Sequence, residues 1–175
     1  MKKLFQAKSV IWLVALGGFG CVLASLFIQF VLGKQPCNLC ILQRILVFIV
    51  GCVALFLAIL VTVVFKKTGK KGMLLCNFVL SIPALAGAAV AIQHIYIQSL
   101  PLGSVQACGS PIEFMMRTMP ITEVIQKVLA GSGECQTVET FLWLPIPIWS
   151  LLFFGGSFIF IWSSWFFVGR KNLLK

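Results

Sequence analysis

Four cysteines occupy positions that could support reversible thiol–disulfide chemistry. Cys37 and Cys40 form a C-x-x-C pair, and Cys108 and Cys135 form a second, widely spaced pair. Two cysteines separated by two residues can cycle between a dithiol and a disulfide without large backbone movement. The same spacing also occurs in zinc sites, so the motif alone indicates either redox chemistry or metal binding.

Pro36 and Arg44 indicate how the C-x-x-C pair is held. Proline is tolerated in the first helical turn, so Pro36 predicts a helix that begins beside Cys37. The unpaired N–H groups at a helix N-terminus favour a thiolate there. Arg44 follows Cys40 by four residues, so the two side chains share one helix face. An arginine inside an apolar run is costly, so a functional role is expected for Arg44. The predicted roles are to stabilise a Cys40 thiolate and to bind an electron-rich oxygen of a small cofactor. The alternative is an interfacial arginine whose side chain snorkels to the bilayer surface.

The elements that position these residues are predicted to be membrane-spanning helices. Hydrophobic residues make up 60% of the 175-residue chain and charged residues only 10%, whereas soluble domains are about 45–50% apolar. Four apolar stretches are long enough to cross a bilayer, at about residues 9–33, 41–65, 72–97 and 146–168. The pattern predicts an all-α membrane protein, a four-transmembrane-helix bundle forming a single membrane domain over residues 1–175.

The basic residues flank the spans and predict the topology. Most of the 14 Lys and Arg residues lie at the N-terminus, between the second and third spans, and at the C-terminus. By the positive-inside rule these regions are cytoplasmic, so the loops at about 34–40 and 98–145 face away from the cytoplasm, the side that is the periplasm if the membrane is a bacterial inner membrane. The same distribution argues against nucleic-acid binding despite the net charge of +10.

The cysteines divide between these two environments. The C-x-x-C pair and the Cys108–Cys135 pair fall in or beside the predicted periplasmic loops, where disulfides persist. Cys21, Cys52 and Cys76 fall inside apolar spans and are predicted to be small packing residues.

The long periplasmic loop contains a predicted amphipathic helix at Pro120–Ala130, with apolar residues at helical spacing on one face. Such a helix either lies on the bilayer surface or caps the bundle. A disulfide between Cys108 and Cys135 would enclose it, as a structural staple or as an exchangeable bond. Flanking glycines and exposure to solvent favour the exchangeable interpretation.

At Cys37–Arg44 the sequence reads C-N-L-C-I-L-Q-R, which resembles the DsbB family of bacterial disulfide bond formation proteins. The resemblance extends over essentially the whole chain. It includes the four spans, the basic second connection, G-x-G-E-C at Gly131–Cys135 and the Phe141–Trp149 stretch before the fourth span. His94 followed by Gln98 resembles the end of the family's third helix.

The resemblance implies a quinone-dependent thiol oxidase that reoxidises a DsbA-like, soluble thioredoxin-fold protein. Cys108 would be attacked by the partner's thiolate, and the released Cys135 would exchange with Cys37. Cys40 would then face the quinone, with Arg44 hydrogen-bonding a quinone oxygen. The cofactor is ubiquinone or menaquinone, and no metal centre is expected.

The resemblance also assigns His94 and Gln98 to the lining of the quinone site. For His94 the alternative is a hydrogen-bonded interfacial histidine. The resting pairing of the four cysteines stays open, because four cysteines allow three connectivities.

Three other classes of protein were weighed against this prediction. A vitamin-K-epoxide-reductase-like protein also uses paired cysteines and quinones, but its loop cysteines precede the C-x-x-C. A structural zinc protein could use the four cysteines, although the second pair lacks C-x-x-C spacing. A transporter is disfavoured because, Arg44 and His94 apart, the spans offer no ionisable residues to line a path.

Overall fold

Four long helices and a group of short elements make up the computed structural model, which describes residues 2–64, 70–105 and 109–170. For residues 2–8, 64, 70–71, 164 and 167–170 it describes the backbone alone. In chain order the elements are α1 (Lys2–Phe30), α2 (Asn38–Ile59) with a π-helical extension (Leu60–Val64), α3 (Lys70–Ser99), α4 (Ile112–Thr118), α5 (Ile121–Ala130), α6 (Gly133–Gln136), β1 (Thr140–Phe141), β2 (Leu144–Pro145) and α7 (Ile146–Arg170).

Each long helix contains an apolar stretch able to cross a bilayer, and the four stretches are Ser9–Phe30, Asn38–Val63, Gly72–Ser99 and Ile146–Ser163. This confirms the predicted all-α, four-helix membrane fold. Helix α2 begins at Asn38, ahead of the start predicted near residue 41, so Cys40 lies in its first turn. Apolar side chains cover the outside of the bundle because lipid is their solvent there.

The centre of the bundle is packed by aliphatic and aromatic side chains from all four long helices. We call this cluster the membrane core; it consists of Val10, Ile11, Val14, Ala15, Val47, Val50, Ala54, Leu57, Ala58, Val61, Met73, Cys76, Leu80, Ala84, Phe154 and Ile161.

Small residues let the helices of the membrane core approach closely. A Cβ atom added to Gly18 would lie 2.9 Å from the Gly51 Cα atom, so α1 and α2 meet backbone to backbone. On the other side of the bundle, Gly87 leaves room for the ring of Phe154, which is completely buried. Glycine at these positions gains van der Waals packing, the main attraction between helices in lipid.

A second cluster lies where the loop elements meet the ends of α2 and α3. We call it the cysteine-end core; it consists of Cys37, Leu39, Val90, Ile97, Met115, Val124, Val128 and Cys135. Helix α5 buries Val124 and Val128 in this cluster and leaves Ile121 and Ile125 exposed. One side of its apolar face therefore caps the bundle, while the other remains free to meet lipid.

A short hairpin leads into α7. Strands β1 and β2 pair in antiparallel register, with Thr140 opposite Pro145. The turn residues Leu142 and Trp143 have φ values of 48° and 67°, which is the left-handed conformation of a type I′ turn. Leucine and tryptophan are unusual there, since glycine and asparagine adopt it with less strain. The Trp143 side chain is 95% exposed.

Candidate active site

Cys37 and Cys40 face one another at the start of α2. Cys37 caps the helix with an extended backbone, and its carbonyl accepts the Ile41 N–H at 3.0 Å. The two Sγ atoms are 3.5 Å apart, well beyond the bond length of about 2.05 Å in a disulfide. Both residues are therefore thiols here, positioned to close into a disulfide with a small side-chain rotation.

Cys135 belongs to the same cluster although it lies almost a hundred residues later in the chain. It sits in the single turn of α6, is fully buried, and hydrogen-bonds with the Cys37 thiol. Its N–H donates to the Ser132 carbonyl at 2.8 Å. Three of the four predicted redox cysteines are thus brought together, and Cys37 is the one that contacts both others.

Cys108, the fourth predicted cysteine, lies outside the described residues. The chain that follows it is anchored beside the cluster. The Asn38 side-chain amide donates to the Ser110 carbonyl at 3.0 Å, and Gly109 packs against Ser132 so closely that a Cβ atom would clash. The segment leading away from Cys108 therefore passes next to the start of α2 and the start of α6.

His94 on α3 completes the cluster from the opposite side. Its Nε2 atom lies 3.8 Å from the Cys37 Sγ atom, and its Nδ1 atom lies 3.2 Å from the Gln43 Nε2 atom. The ring also hydrogen-bonds the Cys135 backbone carbonyl. His94 and Gln43 are 1% and 2% exposed, respectively. His94 is thus a buried, hydrogen-bonded histidine, and its place in a quinone site stays a prediction.

Arg44 is held by α1. Its Nη1 atom donates to the Gln29 side-chain oxygen at 2.5 Å, and its Nη2 atom donates to the Ser25 carbonyl at 3.3 Å. Its buried Nε atom has no hydrogen-bond partner among the described residues. These contacts hold the guanidinium against α1.

Five of the predicted site residues border one cavity of about 550 Å³. Such a volume lies within the range of about 300–1,000 Å³ that is usual for small-molecule sites. Its polar lining includes Cys37, Cys40, Arg44, His94 and Gln98. Most of the remaining wall is apolar, from Val22 and Ile28 of α1 to Phe153 of α7.

Gln98 reaches the cavity from the last turn of α3. Its side-chain amide donates a long hydrogen bond of 3.5 Å to the Thr137 carbonyl, just beyond α6. The residue is half-buried, so its amide joins the end of α3 to the loop wall and leaves part of the side chain on the cavity.

The cysteine cluster disfavours ionisation of Cys37. A hydrogen bond with Cys135 lowers the pKa of Cys37, but a hydrogen bond with Cys40 and burial raise it more, to about 12. The pKa of Cys135 is also raised, by its hydrogen bond with Cys37 and by burial. At Cys37, burial and the neighbouring Cys40 thiol therefore outweigh the unpaired N–H groups of the helix N-terminus.

Sequence inspection missed three residues that hold the predicted ones in place. Gln43 contacts His94, whereas Ser25 and Gln29 contact Arg44. The only signal available was a polar side chain inside an apolar span, which in a bilayer requires a partner.

Two of the three cysteines inside the spans differ from the predicted packing role. Cys76 is buried in the membrane core, as a packing residue should be, but Cys21 and Cys52 lie exposed on the bundle surface. Cys21 borders the cavity.

Comparison with known proteins identifies the family. Residues 7–164 match the family model described as "Disulfide bond formation protein DsbB". The chain belongs to the DsbB family. Several members named "Disulfide bond formation protein B" align over nearly their whole length. The Chromobacterium violaceum protein is 41% identical over 161 residues, which cover 91% of this chain and 92% of that protein.

Two further relatives are similar at comparable coverage. The Nitrosococcus oceani protein is 39% identical over 90% of each chain. The Neisseria gonorrhoeae protein is 33% identical over 90% of this chain and 94% of its own. Membership of the DsbB family and the four apolar helices make this chain a multi-pass bacterial membrane protein of disulfide bond formation. The match favours this family over the three alternative classes.

Proposed function

We propose that this DsbB-family protein reoxidises a DsbA-like, soluble thioredoxin-fold protein and passes two electrons to ubiquinone or menaquinone in the membrane. The observation that carries the proposal is the junction of two environments at Cys37. On one side Cys37 contacts Cys135 of the loop, and on the other its partner Cys40 borders an apolar cavity with Arg44. Successive thiol–disulfide exchanges can therefore carry electrons from the loop cysteines to Cys40 beside the cavity.

The proposed thiol steps begin at the loop pair. A partner thiolate attacks Cys108 in a Cys108–Cys135 disulfide, which forms a mixed disulfide and releases Cys135. The partner's second thiolate then attacks the mixed disulfide, leaving the partner oxidised and Cys108 reduced. Attack of the Cys135 thiolate on Cys37 then breaks the Cys37–Cys40 disulfide and releases Cys40. Attack of the Cys108 thiolate on Cys135 in the resulting mixed disulfide releases Cys37, so the Cys108–Cys135 disulfide re-forms and Cys37 and Cys40 are left reduced. The proximity of Cys135 and Cys37 supports this exchange, because no large movement is needed.

The cavity fits a quinone in size and chemistry. Its apolar walls suit a ring and isoprenoid chain, and the unpartnered Arg44 Nε atom offers a buried donor to a ring oxygen. A bound quinone supplies a two-electron, two-proton acceptor. Arg44 orients that acceptor and favours the Cys40 thiolate by charge, while Gln29 and Ser25 keep the guanidinium in the cavity wall. His94 and Gln98 complete the polar edge.

We also propose that both termini face the cytoplasm and that the cysteine end of the bundle faces the periplasm. The support is the distribution of basic residues, of which Lys66, Lys67, Lys171 and Lys175 lie outside the described residues. A membrane-impermeant maleimide should label Leu102→Cys, at an 84% exposed loop position, from the periplasmic side of spheroplasts. Labelling only after lysis would indicate the opposite orientation, with the cysteine end of the bundle in the cytoplasm.

The assay for the proposed reaction mixes purified protein, a reduced thioredoxin-fold partner and a quinone, and follows quinone absorbance. Arg44→Ala should lower kcat/KM for quinone by roughly ten- to a hundredfold, since it removes a charged hydrogen bond of about 1.5–3 kcal/mol. Thiol exchange with the partner, followed without quinone, should change much less.

Arg117→Ala is the matched control, because Arg117 is an exposed arginine on α4 away from the cavity. It should leave quinone use unchanged. No quinone reduction by the unmodified protein with a competent partner would refute the proposed function. Equal losses of quinone use and thiol exchange in Arg44→Ala would refute the role of Arg44 alone.

A further inference from the structure

The cysteine cluster has a second chemical property besides electron transfer. The Cys37 Sγ, Cys40 Sγ and His94 Nε2 atoms all lie within 4.8 Å of one another. The Sγ atoms are 3.5 Å apart, and the Cys37 Sγ to His94 Nε2 distance is 3.8 Å. In tetrahedral zinc sites, bond lengths of about 2.3 Å to sulfur and 2.0–2.1 Å to nitrogen separate neighbouring ligands by about 3.5–3.8 Å. Two of the three separations already match neighbouring corners of such a site, and the third pair, Cys40 Sγ and His94 Nε2, lies within 4.8 Å.

The ligand chemistry selects the kind of cation. Two thiolates and an imidazole suit Zn²⁺ and other thiophilic metals, whereas Mg²⁺ and Ca²⁺ prefer oxygen ligands. The three ligands come from two helices that the bundle holds in fixed positions, Cys37 and Cys40 at the start of α2 and His94 on α3. All three residues border the 550 Å³ cavity, so a fourth position is open to water or a small anion.

Gln43 supplies the support that a histidine ligand needs. A metal-binding histidine usually donates its other ring N–H to an oxygen acceptor, which fixes the tautomer. The Gln43 amide lies against His94 Nδ1 at 3.2 Å, and its Oε1 atom has no partner among the described residues. Turning the amide by half a rotation lets Oε1 accept the Nδ1 proton, which leaves the Nε2 lone pair free for coordination.

We propose that the reduced form of this protein binds one thiophilic divalent cation such as Zn²⁺ through Cys37, Cys40 and His94, and that the cation inhibits turnover. Binding replaces two thiol protons, which leave to solvent, with two metal–sulfur bonds. The Cys37–Cys40 disulfide cannot bind the cation in this way, so the site exists only in the reduced state. Inhibition, but not binding, rests on the proposed function, because a metal-bound Cys40 cannot pass electrons to a quinone.

Cobalt(II) tests the site directly, since a tetrahedral thiolate site gives it visible and near-ultraviolet absorption. The experiment titrates Co²⁺ into full-length, reduced, quinone-free protein in detergent. We expect one Co²⁺ per chain, displacement by Zn²⁺, and no absorption in protein oxidised beforehand. His94→Ala should weaken Co²⁺ binding by at least roughly tenfold. Loss of a residue that only supports a ligand weakens metal binding about 10–100-fold, and loss of the ligand itself should cost at least as much.

Two further variants keep the result interpretable. Cys76→Ala removes a buried cysteine of the membrane core and should leave the titration unchanged. His94→Cys keeps a ligand at the same position, and its sulfur-to-cobalt absorption should be stronger than that of the unmodified protein. This rescue separates loss of a ligand from loss of folding.

Absence of the cobalt spectrum in reduced protein would overturn the proposal, as would equal affinity in the unmodified protein and in a folded His94→Ala variant. Zn²⁺ that binds without slowing quinone reduction would overturn the inhibitory role. The titration contains neither quinone nor partner, so failure of the proposed oxidase function would leave the cation-binding result standing.

Discussion

Buried polar groups differ in their hydrogen bonding around the two cores of the bundle. Around the membrane core, buried polar side chains have hydrogen-bond partners on neighbouring helices. Asn77 donates to the Ile161 carbonyl at 3.3 Å, and the Trp162 ring N–H donates to the Ser81 hydroxyl at 2.9 Å. Around the cysteine-end core, two buried atoms have no partner among the described residues, Gln43 Oε1 and Arg44 Nε.

This difference in hydrogen bonding indicates that the membrane core serves packing, whereas the surroundings of the cysteine-end core serve binding. A buried unpaired donor or acceptor costs about 1–3 kcal/mol, and lipid offers it no water in compensation. Such atoms are retained where another molecule can satisfy them, and Arg44 borders the cavity. The completed hydrogen bonds of the membrane core, by contrast, serve only to hold helices together.

The largest expected contrast is between cysteines of the two cores. Cys40→Ser should abolish quinone reduction, a loss of at least about a thousandfold, because serine forms no disulfide. Cys76→Ser, in the membrane core, should retain activity within about threefold, since its neighbours are packing residues. Partner-dependent quinone absorbance measures both. Appreciable turnover in Cys40→Ser would remove this residue from the electron route.

Truncation in the membrane core should affect stability more than chemistry. Phe154→Ala leaves a cavity beside Gly87. It should lower the free energy of unfolding by about 3 kcal/mol, the lower end of the range for buried phenylalanines. Phe160→Ala on the exposed surface is the matched control. Denaturant unfolding in detergent measures the difference. Equal stability of the two variants would contradict the assignment of Phe154 to a packed core.

The raised pKa of Cys37 predicts slow alkylation. With a pKa of about 12 instead of the ordinary 9.0, only a small fraction is thiolate at pH 8, and the greater nucleophilicity of a basic thiolate offsets part of this loss. We expect Cys37 in reduced protein to react with iodoacetamide roughly thirty- to a hundredfold more slowly than glutathione. The rate should keep rising between pH 8 and pH 11. Peptide mapping by mass spectrometry measures it, and a plateau near pH 9 would contradict the shift.

The smallest effect should come from the ion pair that joins the first loop to the hairpin. Lys34 and Glu139 contact one another, but their side chains are 36% and 48% exposed. An exposed pair of this kind contributes about 0–1 kcal/mol. Glu139→Gln should therefore change the free energy of unfolding by less than about 1 kcal/mol, and the change should vanish in high salt. Glu113→Gln, at an exposed position on α4, is the control; a large, salt-independent loss would indicate a structural role for the pair.

The sequence predicts the four spans and the C-x-x-C with Arg44 from local signals, whereas His94 and Gln98 come from the family resemblance and their roles stay predictions. Hydropathy over some twenty residues defines a span, and C-x-x-C with Arg44 lies within a single helix start. The supporting contacts of Gln29 and Gln43 depend on how α1 and α3 are rotated about their axes relative to α2. Side-chain packing sets that rotation, and no single segment encodes it. The raised pKa of Cys37 could not be predicted for the same reason, since the burial that helps to raise it depends on how distant segments pack around this residue.

The hairpin turn described above gives the protein a built-in optical reporter. Trp143 projects almost fully from the turn, two residues after Phe141, whose side chain borders the cavity. In a variant that keeps Trp143 and replaces the other four tryptophans, Trp12, Trp149, Trp162 and Trp165, the indole emission would report local polarity at the rim of the site. Quenching by aqueous acrylamide compared with quenching by brominated lipid would measure the depth of this rim in the bilayer, and a change on addition of a soluble partner would time its arrival without any attached dye.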